Sequence, residues 1–544
     1  MPRPERAPLS PAAALIAALT AASPAVAEVP LSAIDWLSQS VSTPAPSGKV
    51  KAPSDAGAAP QGGWLPGTIT ASPLGSDNTA APGLVPADRA GLKSDFWGTT
   101  PSKDLARQLG EIRSDTLPAI QGLAESILVS EFTPVADRDP TRAIFLARID
   151  KLSEFGALDP ALSMLEELPQ PTPAEFQRWF DIALLVGQED RACAAMAKAP
   201  QIAPTLTARV FCLARLGDWP AAALTLRAGT GLGQIDKAEG DLTARFLDPE
   251  LFEGEPPLVP PSHPSPLVFR MFEGIGEPIP TTTLSLAFAQ SDLRSNTGWK
   301  TRLDAGERLA RTGAIPPNRL LGLYTEQKPA ASGGVWDRAA AVQALEAAIT
   351  RKDKAAIGTT MQAAWAALAE KRLEVPFARL FGRPLANAGL SGADDRLALR
   401  IGLLSDEGAE IAAGRLAVAP PPAIAKASLP VGTGRPAPAP LDRDSQFLAA
   451  LAASAPLPAP PANPVAQAVS AAFTGPPVPD ARFTPLLSGN QTGAAVLKAL
   501  ALLSASAAGD QRDTCAALTA LRAAGLDTPA RRIALELLIL DQRL

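Results

Sequence analysis

Three glycines set the terms on which this chain can fold: Gly156, Gly187 and Gly217, spaced 31 and 30 residues apart. Phe155, Val186 and Leu216 stand one residue before them, Leu152, Ala183 and Leu213 four before, and Ile149, Phe180 and Val210 seven before. Apolar residues at these offsets share one face of a helix, and glycine readily takes the left-handed conformation that ends one. A second apolar face follows each glycine, with Ala161, Ala192 and Ala222 five residues on and Leu165, Met196 and Leu226 nine on. Pro173 and Pro204, seventeen residues after the first two glycines, stand where a proline opens the next helix. Columns repeated at one period predict a recurring hairpin: helix, glycine turn, helix, proline break. The stretch Phe211–Leu226, FCLARLGDWPAAALTL, is then two short helices about a Gly-Asp-Trp-Pro turn.

The rest of the chain agrees with helices. It is rich in alanine and poor in aromatic residues, with one His and one Tyr, a composition that favours helix over strand. Its 56 prolines must then fall between helices, where they act as breakers. No alternating strand pattern or hairpin signal stands out, so the expected class is all-α: helical-hairpin repeats stacked as a solenoid, with Pro-rich linkers. The expected organisation is a Pro/Gly/Ser-rich disordered tether over 28–85, repeats over 86–250, and a Pro-rich break with short helices over 251–290. A helical domain follows over 291–418, with periodicity resuming at LAFAQSDL, then a Pro-rich linker over 419–445 and a helical region over 446–544.

The first residues read as a signal peptide. Arg3 and Arg6 form a short basic region, Ala12–Ala22 an apolar core, and Ala25-Val26-Ala27 a cleavage site before Glu28. The apolar run is shorter than the roughly 20 residues a bilayer demands, and no later stretch reaches that length. The mature chain is therefore expected in the periplasm without a membrane span. Its formal charge of −5 argues against nucleic acid, which calls for a basic face.

Gly217-Asp218-Trp219 followed by Ala222 resembles the turn of tetratricopeptide-type α-α repeats, as Pro173 and Pro204 resemble the helix-opening proline of that family. The period is 30–31 rather than about 34 residues, which shortens the first helix by about one turn. The family's first-helix Trp and Leu-Gly signature is missing. The match covers roughly 141–230, with a detached relative at Gly509, preceded by Leu502 and Ala505 and followed by Cys515 and Leu518. The resemblance implies a superhelix with a concave face for peptides or proteins and no catalytic residues.

Few side chains suggest chemistry. Cys193 and Cys212 each lie nine or ten residues from a bend near 202, so antiparallel helices would set them side by side, as a disulfide demands. Both also suit a core as small free thiols, and the sequence leaves the two readings open. Cys515 has no evident partner. His263, in PPSHPSP, is alone, which excludes His-rich zinc sites, and no G-x-S-x-G elbow accompanies it. GTGLGQ at 229–234 follows a helix and lacks Lys-Ser/Thr, so it reads as an inter-repeat loop rather than a phosphate cradle. Glu166-Glu167 and Asp394-Asp395 are adjacent pairs that diverge on a helix and read as solvated faces or first-turn caps. Periplasmic lytic transglycosylases carry a broadly similar superhelix, but their catalytic Glu-Ser pair and Gly-Leu-Met-Gln stretch are not found here. No catalytic, metal or cofactor residue is assigned. The expected role is a non-catalytic envelope scaffold or adaptor for a protein or peptide partner, with a peptidoglycan-acting enzyme or its accessory subunit as the alternative.

If the export reading holds, protein expressed with its own N-terminus in a Gram-negative host should begin at Glu28 by N-terminal sequencing. An intact Met1 in the periplasmic fraction would contradict it.

Overall fold

Short polar side chains start several of the helices. Thr172 Oγ1 accepts from the Glu175 amide while Glu175 Oε2 accepts from the Thr172 amide at 2.7 Å, with Pro173 at the first helical position. Asp218, Asp236 and Ser265 do the same for the amides of Ala221, Glu239 and Val268. Each cap satisfies an amide left orphaned at a helix start and contributes about 1 kcal/mol.

The computed structural model describes residues 82–137, 139, 141–418, 440–505 and 510–540, all within one unit, Gly75–Leu544. The expected signal peptide, residues 28–81 of the expected tether, Gly509 and residues 419–439 lie outside the described residues. A two-residue strand, β1 (Val85–Pro86), precedes α1 (Ser102–Glu111), α2 (Pro118–Val129) and a second short strand, β2 (Ser130–Glu131). The hairpins follow: α3 (Ala143–Glu154) with α4 (Leu158–Glu166), α5 (Pro173–Val186) with α6 (Glu189–Lys198), and α7 (Leu206–Arg215) with α8 (Trp219–Gly231). Then come α9 (Lys237–Leu247), α10 (Pro266–Gly274), a 3-10 stretch over Leu286–Leu293 and α11 (Trp299–Arg311). The central helices are α12 (Pro317–Thr325), α13 (Val335–Arg351), α14 (Lys354–Ala369), α15 (Glu374–Ala386), α16 (Gly392–Leu404) and α17 (Gly408–Val418). The last are α18 (Arg443–Ala452), α19 (Pro464–Phe473), α20 (Thr484–Ser488), α21 (Thr492–Ala505), α22 (Gln511–Ala523) and α23 (Asp527–Leu540).

The fold is all-α, and its one strand pair among the described residues is small: Val85 aligns with Ser130 and Pro86 with Glu131, in parallel. This pairing reaches into the end of the expected tether. The Leu84 amide donates to the Val129 carbonyl at 2.8 Å, and a Cβ at Gly83 would come within 2.6 Å of the Glu131 backbone, so only glycine fits there. Two other expectations are adjusted. LAFAQSDL winds as a 3-10 helix rather than an α-helix. At about 2.0 Å of rise per residue against 1.5 Å, the tighter winding lets eight residues reach across two hairpins. The loop expected at 229–234 begins later, because Gly229–Gly231 complete α8. A Cβ at Gly229 would come within 2.7 Å of Ile235, so a glycine there lets the following turn fold back onto the helix.

From α3 to α9 each helix packs on its neighbours in sequence. The C-terminal helices instead pack on the first ones: α21 lies against α1 and α2, and α23 against α2. The Gly493 amide donates to the Phe96 carbonyl at 2.7 Å and the Thr99 amide to the Asn490 carbonyl at 3.2 Å. A single apolar core accordingly runs from Phe96, Trp97 and Phe132 through the first hairpin to Leu497, Leu521 and Ile533. Residues 289–404 surround a second core, and the remaining hairpins share smaller ones.

Glu536 on α23 fastens this closure. Its Oε2 accepts from the Ala119 amide in the first turn of α2 at 2.7 Å, while Oε1 is buried without a partner. Burial pushes its pKa from 4.5 up to about 7, opposed by that amide and by the charges of Arg532 and Arg379. A pKa raised in the fold means that the native protein holds a proton the unfolded chain has lost. The stabilising share is therefore full below pH 4.5 and is lost as pH rises through 7. Relative to Glu536→Gln, the wild-type protein should lose up to about 3 kcal/mol of unfolding free energy across that window, measured by urea titration at a series of pH values. Parallel pH profiles for the two proteins would contradict this role.

Candidate interaction surface

The repeat columns converge on a row of three turns. Gly156, Gly187 and Gly217 have φ of 79°, 76° and 87°, in the left-handed region that glycine alone enters without strain. Before and after them the column residues are packed inward: Ile149, Phe180 and Val210 on the first helices, Ala161, Ala192 and Ala222 on the second. An alanine at that early position lets two helices of a hairpin approach closely.

The first two turns are covered by a later part of the chain. A Cβ at Gly156 would lie 2.8 Å from Leu309 and 3.0 Å from Leu286, and one at Gly187 would lie 3.3 Å from Arg294. Side chains also reach the carbonyls that each first helix leaves open at its end. Gln290 Nε2 donates to the Gly156 carbonyl at 2.7 Å, Thr312 Oγ1 to Phe155 at 2.9 Å, and Ser291 Oγ to Leu185 at 2.9 Å. Arg294 is held in place by both oxygens of Glu273, which also binds Arg270, and Arg270 in turn binds Glu189 at the start of α6.

The third turn has no such cover among the described residues. No described residue lies within 4 Å of a Cβ placed on Gly217. Leu216 and Trp219 are each 49% exposed, whereas Phe155, the counterpart of Leu216 in the first unit, is 1% exposed. The carbonyls of Arg215, Leu216 and Gly217 accept no hydrogen bond from any described residue. Half-exposed apolar side chains thus lie beside carbonyls that no described residue donates to.

Cys193 on α6 and Cys212 on α7, the latter five residues before Gly217, join the second unit to the third. Their sulfurs are 2.04 Å apart and their Cα atoms 5.0 Å apart. Cys515 is a free thiol, partly buried against the main core. His263 is exposed in its loop. Glu166 and Glu167 close α4 rather than starting a helix, and Glu166 pairs with Arg191 at 2.9 Å. Asp394 and Asp395 do stand in the first turn of α16: Asp394 accepts from Gln362, and both Asp395 oxygens meet Arg415 at 2.7 and 2.6 Å. No group of three His, Cys, Asp or Glu among the described residues is placed to hold a metal.

Other ionisable groups besides Glu536 escaped the sequence reading. Burial pushes Asp181 on α5 up to about 7, with Arg178 opposing. Glu307 on α11 takes both nitrogens of Arg338 at 2.7 and 2.6 Å and the Tyr324 hydroxyl at 2.8 Å, all three buried. Burial and the adjacent carboxylate push the Tyr324 hydroxyl well above its usual value, so it remains a donor. With these hydrogen bonds made inside the core, this group joins α11, α12 and α13 rather than presenting chemistry to solvent. The cover itself was also missed. Its trace in the sequence is the polar run Gln290-Ser291-Asp292 inside an apolar stretch.

A bridge between residues 19 apart should stabilise the fold by about 3 kcal/mol through the loop it closes. Thiol labelling of the denatured, unreduced protein should find one reactive cysteine, rising to three after reduction. Three thiols without reduction would contradict the bridge.

Compared with known proteins, the chain matches no family model, no curated protein and no solved structure.

Proposed function

We propose that this is an exported, non-catalytic scaffold or adaptor of the bacterial cell envelope, which uses helical hairpins of a tetratricopeptide-like kind to hold a protein or peptide partner. One observation carries this reading. Three equivalent glycine turns stand in a row, two are covered by the chain itself, and the third presents Leu216 and Trp219 to solvent. A surface repeated in this way is suited to recognising backbone ends and apolar side chains, which is protein recognition rather than turnover. The signal-peptide features of residues 1–27 support export. No helix among the described residues is long and apolar enough to cross a membrane.

The competing class is an enzyme of peptidoglycan, or its accessory subunit. The two separate in one assay. Purified mature protein incubated with peptidoglycan sacculi should release no muropeptides, and affinity capture from envelope extract should return one partner in stoichiometric amount. Muropeptides released in proportion to protein and time would overturn the scaffold reading.

A further inference from the structure

The segment that covers the first two turns shows what the third is built to accept. Leu286 lies over Gly156, Gln290 reaches the Gly156 carbonyl, Ser291 reaches Leu185, and Arg294 lies over Gly187. The cover thus advances along the row in chain order, one hairpin to the next. It then stops. The Thr297 amide bonds back to the Arg294 carbonyl at 3.1 Å, and the chain turns into α11, whose Leu309 and the following Thr312 return to the Gly156 turn.

The third turn repeats the surface that the cover leaves off. Side-chain donors meet the carbonyls of Gly156 and Phe155 in the first unit and of Leu185, two before the glycine, in the second. At the third turn these positions are Gly217, Leu216 and Arg215, and none accepts a hydrogen bond from a described residue. The apolar contact has no counterpart among the described residues either: none comes within 4 Å of a Cβ on Gly217, where Gly156 has Leu286 and Leu309.

We propose that the Gly217 turn is a docking site for a short segment of a partner protein with the chemistry of Leu286–Arg294: an apolar side chain followed by amide and hydroxyl donors in tight 3-10 winding. Its apolar side chain covers Gly217 beside Leu216 and Trp219, and its donors satisfy the carbonyls of Arg215, Leu216 and Gly217. The partner so extends the internal interface by one hairpin. This rests on the scaffold reading and supplies it with a surface and a ligand class.

The test uses the full mature protein and a fluorescein-labelled peptide of sequence LSLAFAQSDLR, residues 284–294. The protein's own copy occupies the first two turns, so the peptide probes the third. Fluorescence anisotropy should show saturable binding that Leu216→Ser and Trp219→Ser each weaken by at least about tenfold. A peptide with alanine at its Gln and Ser positions should bind more weakly as well. Both side chains are half-exposed, so the variants should keep the wild-type thermal melt, and the melt is recorded alongside. No saturable binding up to about 1 mM, or binding indifferent to both variants, overturns the proposal. A concentration-dependent dimer dissolved by the same two variants also overturns it, because a second copy of this chain is then the occupant. None of these results bears on muropeptide release, so the site can fail while the scaffold reading stands.

Discussion

A helix that ends leaves its last carbonyls without partners inside the helix, and much of this structure follows from how those carbonyls are met. In the first two repeat units they are met by side chains from more than a hundred residues away: Gln290, Ser291 and Thr312. Each such bond is modest, on the order of 1 kcal/mol, but leaving a buried carbonyl unmet costs more. The bonds also fix register. Gln290 and Ser291 are adjacent in sequence and bond to adjacent hairpins, so they set the spacing between those hairpins. The ion pairs from Arg294 through Glu273 and Arg270 to Glu189 extend the same connection to the start of α6.

The third unit stands apart in how it is held. Among the described residues it lacks the cover; it is joined to the second by the Cys193–Cys212 pair and by α7 packed on α6, while α9 packs on α7 and α8. This leaves its turn open without leaving the hairpin loose. At the other end of the chain the fold closes through buried polar contacts, chiefly Glu536 at the start of α2, and through glycines that admit close backbone approach at Gly98 and Gly493. Charged side chains inside the protein serve structure: Arg148 donates to the carbonyls of Leu128 and Ser130, and Arg338 neutralises Glu307.

Sequence periodicity carried the hairpins because glycine, alanine and large apolar residues each have one physical role at their column. The helix ends near Gly156, Gly187 and Gly217 could be placed in this way, and Cys193 and Cys212 could be set at matching distances from the bend at 202. The same columns could not show which turns are covered. Phe155, Val186 and Leu216 are equivalent in sequence, yet they are fully buried, partly buried and half-exposed in the structure. The difference lies in a segment distant in sequence whose apolar spacing looks like an ordinary amphipathic helix. Its 3-10 winding, and the closure of α21 and α23 onto α1 and α2, are tertiary outcomes that no local pattern encodes. The pairing of Val85 with Ser130 was hidden for the same reason, since a two-residue bridge has no period to read.

The most direct measurement is amide hydrogen exchange followed through the three turns, in the wild-type protein and in a Gln290→Ala/Ser291→Ala variant. If the distant segment covers two turns and leaves one open, the peptides spanning Gly156 and Gly187 should exchange more slowly than the peptide spanning Gly217. The double variant should speed the first two and leave the third unchanged. Equal exchange at all three turns in the wild-type protein, or a variant that speeds all three alike, would contradict the account.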